Sequence, residues 1–179
     1  MRVRYNLSRL ECPLKGFDMA SERIDSAIVM LNAAREQLNA ALDGVSEGLW
    51  EQQIYSEGAQ WTLRQLLIHL MLADHGQTNV LMGIAEGKNL IPEDYDINRY
   101  NAASVSKRQA VTVEEARDGL AQSRARLIDW LHQIDASVLD KEGRHPTLLI
   151  MSIDQILGLM ARHEAAHTAD IEALMARHA

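Results

Sequence analysis

The sequence predicts an all-α fold, a four-helix bundle with long inter-helix connections, on three observations. Strong helix formers (Ala, Leu, Met, Ile, Glu, Gln, Arg) dominate the composition, while β-branched clusters are short and aromatics reach only 4%, too few for the patterns of a β fold. Apolar residues recur at helical spacing in four long segments. Three of those segments open on a capping-box pair. At roughly 100–200 residues per domain, the chain's 179 residues suffice for one domain with a sizeable core.

Residues 1–18 (MRVRYNLSRLECPLKGFD) lack sustained periodicity and contain Pro13 and Gly16. They read as an irregular N-terminal extension to a helical domain over residues 19–179. Between Ser21 and Asp43, Ile24, Ile28, Leu31, Leu38 and Leu42 recur at spacings of three, four and seven, which sets them on one helix face. Gly44 follows as a stop. Leu49, Trp50 and Ile54 then lie in a connector interrupted by Gly48 and Gly58.

The second helix opens at Thr62, whose spacing to Gln65 lets each side chain satisfy a free backbone N–H of the other. It should run to about Gly87 with an apolar face of Leu63, Leu66, Leu67, Leu70, Leu81 and Ile84. Pro92 breaks the chain into a loop, KNLIPEDYDINRYN, with a short helical turn near Asn98 to Val105. Thr112 and Glu115 cap a third helix with a stripe of Val113, Ala116, Leu120, Leu127, Leu131 and Ile134. The DKEGRHP segment reads as a loop. Ser152 and Gln155 cap a fourth helix whose inward face reads Ile156, Met160, His163, His167, Ile171 and Leu174. Four helices of about 23–27 residues, with no credible strand, make the bundle.

The formal net charge is −7, so the chain lacks the basic footprint that non-specific nucleic-acid binding needs. Cys12, alone, forms no intrachain disulfide. The longest apolar run, Leu66 to Ala73, falls far short of the ~20 residues of a membrane span. The N-terminus has arginines but no apolar core of a secretory signal. A cytoplasmic location is expected, with no membrane or nucleic-acid partner.

The chemically informative stretch is ARHEAAHTADIEAL. His163 and His167 stand one turn apart, so both imidazoles leave the same helix face and can reach one first-row metal ion at ~2.0–2.1 Å. A hydrogen-bonded core histidine is the plainer reading of either ring alone, but burying two on adjacent turns demands several compensating partners. His69, flanked by aliphatics in LLIHLML, is the best third donor. His75 lies about 240° further round that helix and cannot share its site. Between Asp74 and Gly76, it reads as exposed or as a partner supporting a ligand from behind. His132, His145 and His178 have no comparable pairing and read as solvated or incidental.

HEAAH also matches the His-Glu-x-x-His motif of zinc peptidases. Only twelve residues follow His167, they lack a Gly-x-x-His continuation, and no strand pattern offers a substrate-binding edge. A ferritin-like di-iron site needs two helical Glu-x-x-His motifs. Glu164 with His167 supplies one, but Glu142 with His145 straddles Gly143 in a loop. Both readings fail.

Taken together, these motifs resemble the DinB/YfiT-like metalloenzyme superfamily. The residues carrying the resemblance are Trp61-Thr62 with His69 in WTLRQLLIHLMLAD, His163 and His167 in HEAAHTADI, and the acidic-aromatic loop EDYDINRYN. The likeness spans roughly residues 19–178. Asp170 stands where many members carry glutamine. The resemblance implies a bundle of non-standard helix order, a homodimer, and a divalent metal, zinc or nickel, on His69, His163 and His167. It also implies thiol S-transferase activity with a low-molecular-weight thiol such as bacillithiol, mycothiol or glutathione as co-substrate, acting on a small-molecule substrate.

Three neutral imidazoles leave a coordination position open for water or thiol, so thiol transfer and hydrolysis are both within reach of such a site. Glu164, about 100° round the helix from His163, is the candidate catalytic group, placed to orient a ligand proton or act as a base. A solvated helix carboxylate is the alternative. The competing function is a non-catalytic, metal-stabilised helical module for binding or dimerisation.

Overall fold

A computed structural model describes residues 19–55 and 60–178. The extension expected over residues 1–18 lies outside the described residues, as does Gly58. Among the described residues five α-helices follow one another: α1 (Met19–Asp43), α2 (Leu63–Ala85), α3 (Ile97–Ser106), α4 (Val113–Leu131) and α5 (Ile153–Arg177). Between α4 and α5 lies an antiparallel pair of strands, β1 (Glu142–Arg144) and β2 (Ile150–Ser152).

All three capping boxes form. Thr62 Oγ1 accepts from the Gln65 N–H at 3.3 Å while Gln65 Oε1 accepts from the Thr62 N–H at 3.0 Å, and Thr112–Glu115 and Ser152–Gln155 repeat the exchange. Each box satisfies backbone donors that a helix start leaves open. At its other end α2 closes on Gly87 in the left-handed region (φ +74°). There the Lys88 N–H reaches the Gly83 carbonyl and the Gly87 N–H that of Ile84. That double closure suits a residue without a Cβ.

Three sequence expectations change. The third long helix has 19 residues rather than 23–27, because Asp135 accepts from the Ser137 N–H at 2.8 Å and starts a separate 3-10 turn, Ala136–Asp140. Ile134 reaches the core from that connection instead. The helical turn near Asn98 to Val105 is a ten-residue helix, α3, capped by Asp96. The DKEGRHP segment is half a hairpin rather than a loop, with Gly143 opposite Met151. Three-residue strands are too short to show an alternating pattern. Gly143 brings β1 against α2, since a Cβ there would collide with Ile84.

Around the bundle the order is α1, α5, α2, α4, so α2 and α4 are neighbours, whereas α1 and α2 stand across the bundle from each other, as do α4 and α5. The long connectors after α1 and α4, which join helices on opposite sides, make this order reachable. The core divides into two apolar clusters. One gathers Leu31, Leu81, Leu127 and Ile156; the other gathers Leu38, Leu66, Leu120 and Ile171.

Between them, one charged residue from each long helix forms a buried layer. Glu164 Oε1 accepts from Arg35 Nε at 3.1 Å and Arg124 Nη2 at 2.9 Å. Asp74 Oδ1 lies 3.2 Å from Arg35 Nη2 and 3.1 Å from Arg124 Nη2. The guanidiniums also donate to the Leu120 and Leu31 carbonyls. Two cations and two anions cancel, which is what makes a buried charge layer tolerable. It ties one residue of each long helix to the same level of the bundle.

Candidate metal centre

His69 is buried on α2, and His163 and His167 are half-buried on α5. The spacing of four residues points both α5 rings the same way, and the contact between α2 and α5 brings His69 to them. His163 Nε2 lies 3.4 Å from His69 Nε2 and 3.2 Å from His167 Nε2. One ligand atom from each of the three rings lies within 4.8 Å of the others. Nitrogen donors around a tetrahedral ion with bonds of ~2.0–2.1 Å stand about 3.3 Å apart, so the separations suit a divalent cation.

The rings are electronically prepared for that role. Burial, followed by the neighbouring rings, lowers the His69 pKa to about 3. Burial and then His167 lower His163 to about 4, against a smaller opposing pull from Asp74. Burial also lowers His167, opposed by Asp170. Neutral imidazoles are the ligating form.

His167 is further fixed by its other nitrogen. Nδ1 lies 3.1 Å from Asp170 Oδ2 and 2.9 Å from the Tyr55 hydroxyl, which itself donates to Asp170 at 2.6 Å. With the proton on Nδ1 facing a carboxylate, the Nε2 lone pair faces the other two rings. Metal-ligating histidines are commonly oriented this way. Trp61 packs over His69 with ring centroids 4.8 Å apart.

The structure thus gathers His69, His163 and His167 and leaves Glu164 out. Glu164 is 3% exposed and bound to Arg35 and Arg124, so the expected catalytic base is a member of the charge layer instead. The same rotation that separates it from His163 turns it into the bundle. His75, His132 and His178 are exposed. His145, expected to be solvated, is 4% exposed, because the hairpin folds it inward. Tyr55 was not legible, lying in a connector without periodicity. Asp170 stood out in the sequence only as a departure from the family's glutamine; the signal that could have placed it is a carboxylate one turn beyond His167.

A helical bundle carrying a three-histidine cluster at an inter-helix contact defines the class. The sequence profile of the DinB superfamily matches residues 30–171, and the chain belongs to that family. Among solved structures, YfiT from Bacillus subtilis, described as a probable metal-dependent hydrolase with an unusual four-helix bundle topology, superposes with a TM-score of 0.72 at 19% identity. The match covers 99% of this chain and 93% of YfiT. An uncharacterised protein from Escherichia coli UTI89 gives 0.70 at 10% identity over 87% of this chain and 94% of its own. A search of curated proteins gives no significant match. No helix among the described residues is long and apolar enough to cross a membrane.

Proposed function

We propose that His69, His163 and His167 hold one divalent cation, zinc or nickel, and that the protein is a metal-dependent thiol S-transferase. The observation that carries this reading is the convergence of three neutral rings, one of them oriented from behind by Asp170. Bound there, a divalent ion supplies a Lewis acid that brings the pKa of a coordinated thiol or water toward neutrality. The chain's own residues do the rest. Asp170 and Tyr55 hold the His167 proton at Nδ1, and the charge layer ties α2 and α5 to the same level of the bundle. In the overall reaction a sulfur–carbon bond forms, the electrophile's leaving group departs with its electron pair, and the thiol proton passes to solvent.

The metal group has three protein members among the described residues, which supports an open position and so a catalytic rather than a purely stabilising ion. Hydrolysis is the second reading, favoured by the description of YfiT. The implied homodimer has its support in three exposed apolar side chains, Met30, Leu149 and Ile150, which line one groove together with charged residues such as Arg23 and Asp154. Sedimentation equilibrium tests it.

Elemental analysis tests the metal. Wild-type protein should carry about one divalent ion per chain, and His163→Ala should carry none. A wild type that stays empty after incubation with zinc, nickel and manganese overturns the reading. Incubating loaded and chelated protein with glutathione or bacillithiol and an activated aryl halide then separates transferase from hydrolase. A thioether formed only by loaded protein supports transfer; halide release without a thioether supports hydrolysis.

A further inference from the structure

His69 and His163 line one end of a cavity of about 420 Å³ enclosed by α2, α3, α5 and the turn of the hairpin. Its walls are mostly apolar, including Leu72, Val80, Ile91, Tyr95, Ile97 and Leu159. None of the described residues that line it is Lys, Arg, Asp or Glu. Away from the histidine end, a charged ligand group would therefore find no protein counter-ion there.

His145 lines the same cavity. Its Nδ1 accepts from the Thr147 backbone N–H at 3.2 Å and lies 2.9 Å from the Thr147 hydroxyl. The neutral ring accordingly carries its proton on Nε2. That atom is buried and has no acceptor among the described residues. A ligand acceptor at this wall of the cavity would supply the hydrogen bond that the ring lacks. The hairpin turn holds the ring in place: the His145 N–H donates to the Leu149 carbonyl at 2.9 Å, and the Leu148 N–H to the His145 carbonyl at 2.8 Å.

We infer that this cavity is the substrate pocket of the metal centre, and that it takes a neutral, mainly apolar small molecule whose carbonyl oxygen accepts from His145 Nε2. The volume suits a substituted aromatic ring or a compact aliphatic chain. His145 is then a binding residue that selects for an uncharged acceptor, while the histidine end faces the reacting part of the molecule. The inference rests on the metal-centre reading for which end reacts.

The test is a two-dimensional amide NMR titration of the full chain, metal-free and zinc-incubated, with three probes. Acetophenone offers a neutral carbonyl on an apolar ring, α-methylstyrene replaces that oxygen by CH₂, and benzoate adds a charge. In metal-free protein acetophenone should perturb amides around Thr147, Leu159 and Tyr100. It should bind about tenfold more tightly than α-methylstyrene, the worth of one neutral hydrogen bond, and more tightly than benzoate. His145→Leu should bind both neutral probes equally, and His145→Gln, which keeps a donor, should restore part of the preference. Equal binding of the two neutral probes to wild type, a preference that survives in His145→Leu, or no binding at all overturns the inference. Should His145→Leu fail to fold, the wild-type comparison and His145→Gln still decide. A protein that takes up no ion but prefers acetophenone sinks the metal reading and keeps the pocket. One that loads zinc but shows no preference does the reverse.

Discussion

Asp170 Oδ2 lies 3.1 Å from His167 Nδ1, one turn further along α5, and that contact decides which nitrogen of the ring faces His163. Tyr55 closes the triangle from the connector before α2, reaching both residues through its hydroxyl. Burial, and then the hydrogen bond to Asp170, raise the Tyr55 pKa, so the phenol stays a donor at any physiological pH.

Asp170→Ala should weaken metal binding without removing a ligand. Losing such an outer partner costs about 10–100-fold in affinity, because the ring gains freedom and its lone pair loses basicity. Tyr55→Phe should cost less, since Asp170 still accepts from Nδ1. Competition against a calibrated zinc chelator measures both. Unchanged affinity in Asp170→Ala would remove this carboxylate from the site.

Glu164 should prove a stability residue. Glu164→Ala leaves Arg35 and Arg124 facing each other in the core with only Asp74 to offset them, a loss of about 3–5 kcal/mol by denaturant unfolding. Glu164→Gln keeps an acceptor oxygen and should cost less. In that variant the metal content per chain should match wild type, because the carboxylate is no part of the cluster. Loss of the ion in a folded Glu164→Gln would reverse this assignment.

The histidines also set a pH dependence. His69 and His163 titrate near 3 and 4 when folded, against about 6.5 when unfolded. Below about pH 6.5 the unfolded chain takes up protons that the folded chain refuses. Metal-free protein should therefore lose stability as pH falls from 6.5 toward 4, by up to about 1.4 kcal/mol per pH unit for each ring. Above 6.5 both states hold neutral rings and this contribution stays constant. Thermal melts of chelator-treated wild type and of a His69→Gln/His163→Gln double variant check it: the difference between their melting temperatures should change between pH 7 and 5. A constant difference contradicts it.

Gly143 should resist substitution. A Cβ there would run into the Ile84 side chain, so Gly143→Ala must push β1 away from α2 or force Ile84 from its rotamer. Overpacking of this kind costs about 1–3 kcal/mol. The shift would also displace His145, so the variant should lose acetophenone affinity together with stability. A variant as stable as wild type would show that the hairpin yields easily.

The helix starts and the pairing of His163 with His167 were legible because both are local. The pairs Thr62–Gln65, Thr112–Glu115 and Ser152–Gln155 mark helix starts through hydrogen bonds spanning three residues, and all three form. His163 and His167 share a face by helical geometry alone. Even the charge layer left a trace in the spacing. The apolar stripe skips from Leu31 to Leu38 across Arg35, and from Leu120 to Leu127 across Arg124. Those seven-residue gaps marked the positions but not the partners.

The partners were settled only by the packing of α1 against α5 and α2 against α4, contacts between residues far apart in the chain. The same is true of His145. Its loop carries no periodicity, and a two-stranded hairpin seated on Ile84 turns a ring that reads as solvated into a buried donor beside the histidine cluster. Local spacing determined where the helices begin and which residues share a face, since backbone hydrogen bonds act within one turn. Which faces meet, and so the fate of Glu164 and His145, was decided by tertiary burial, because only the folded chain sets which buried charges and donors find partners.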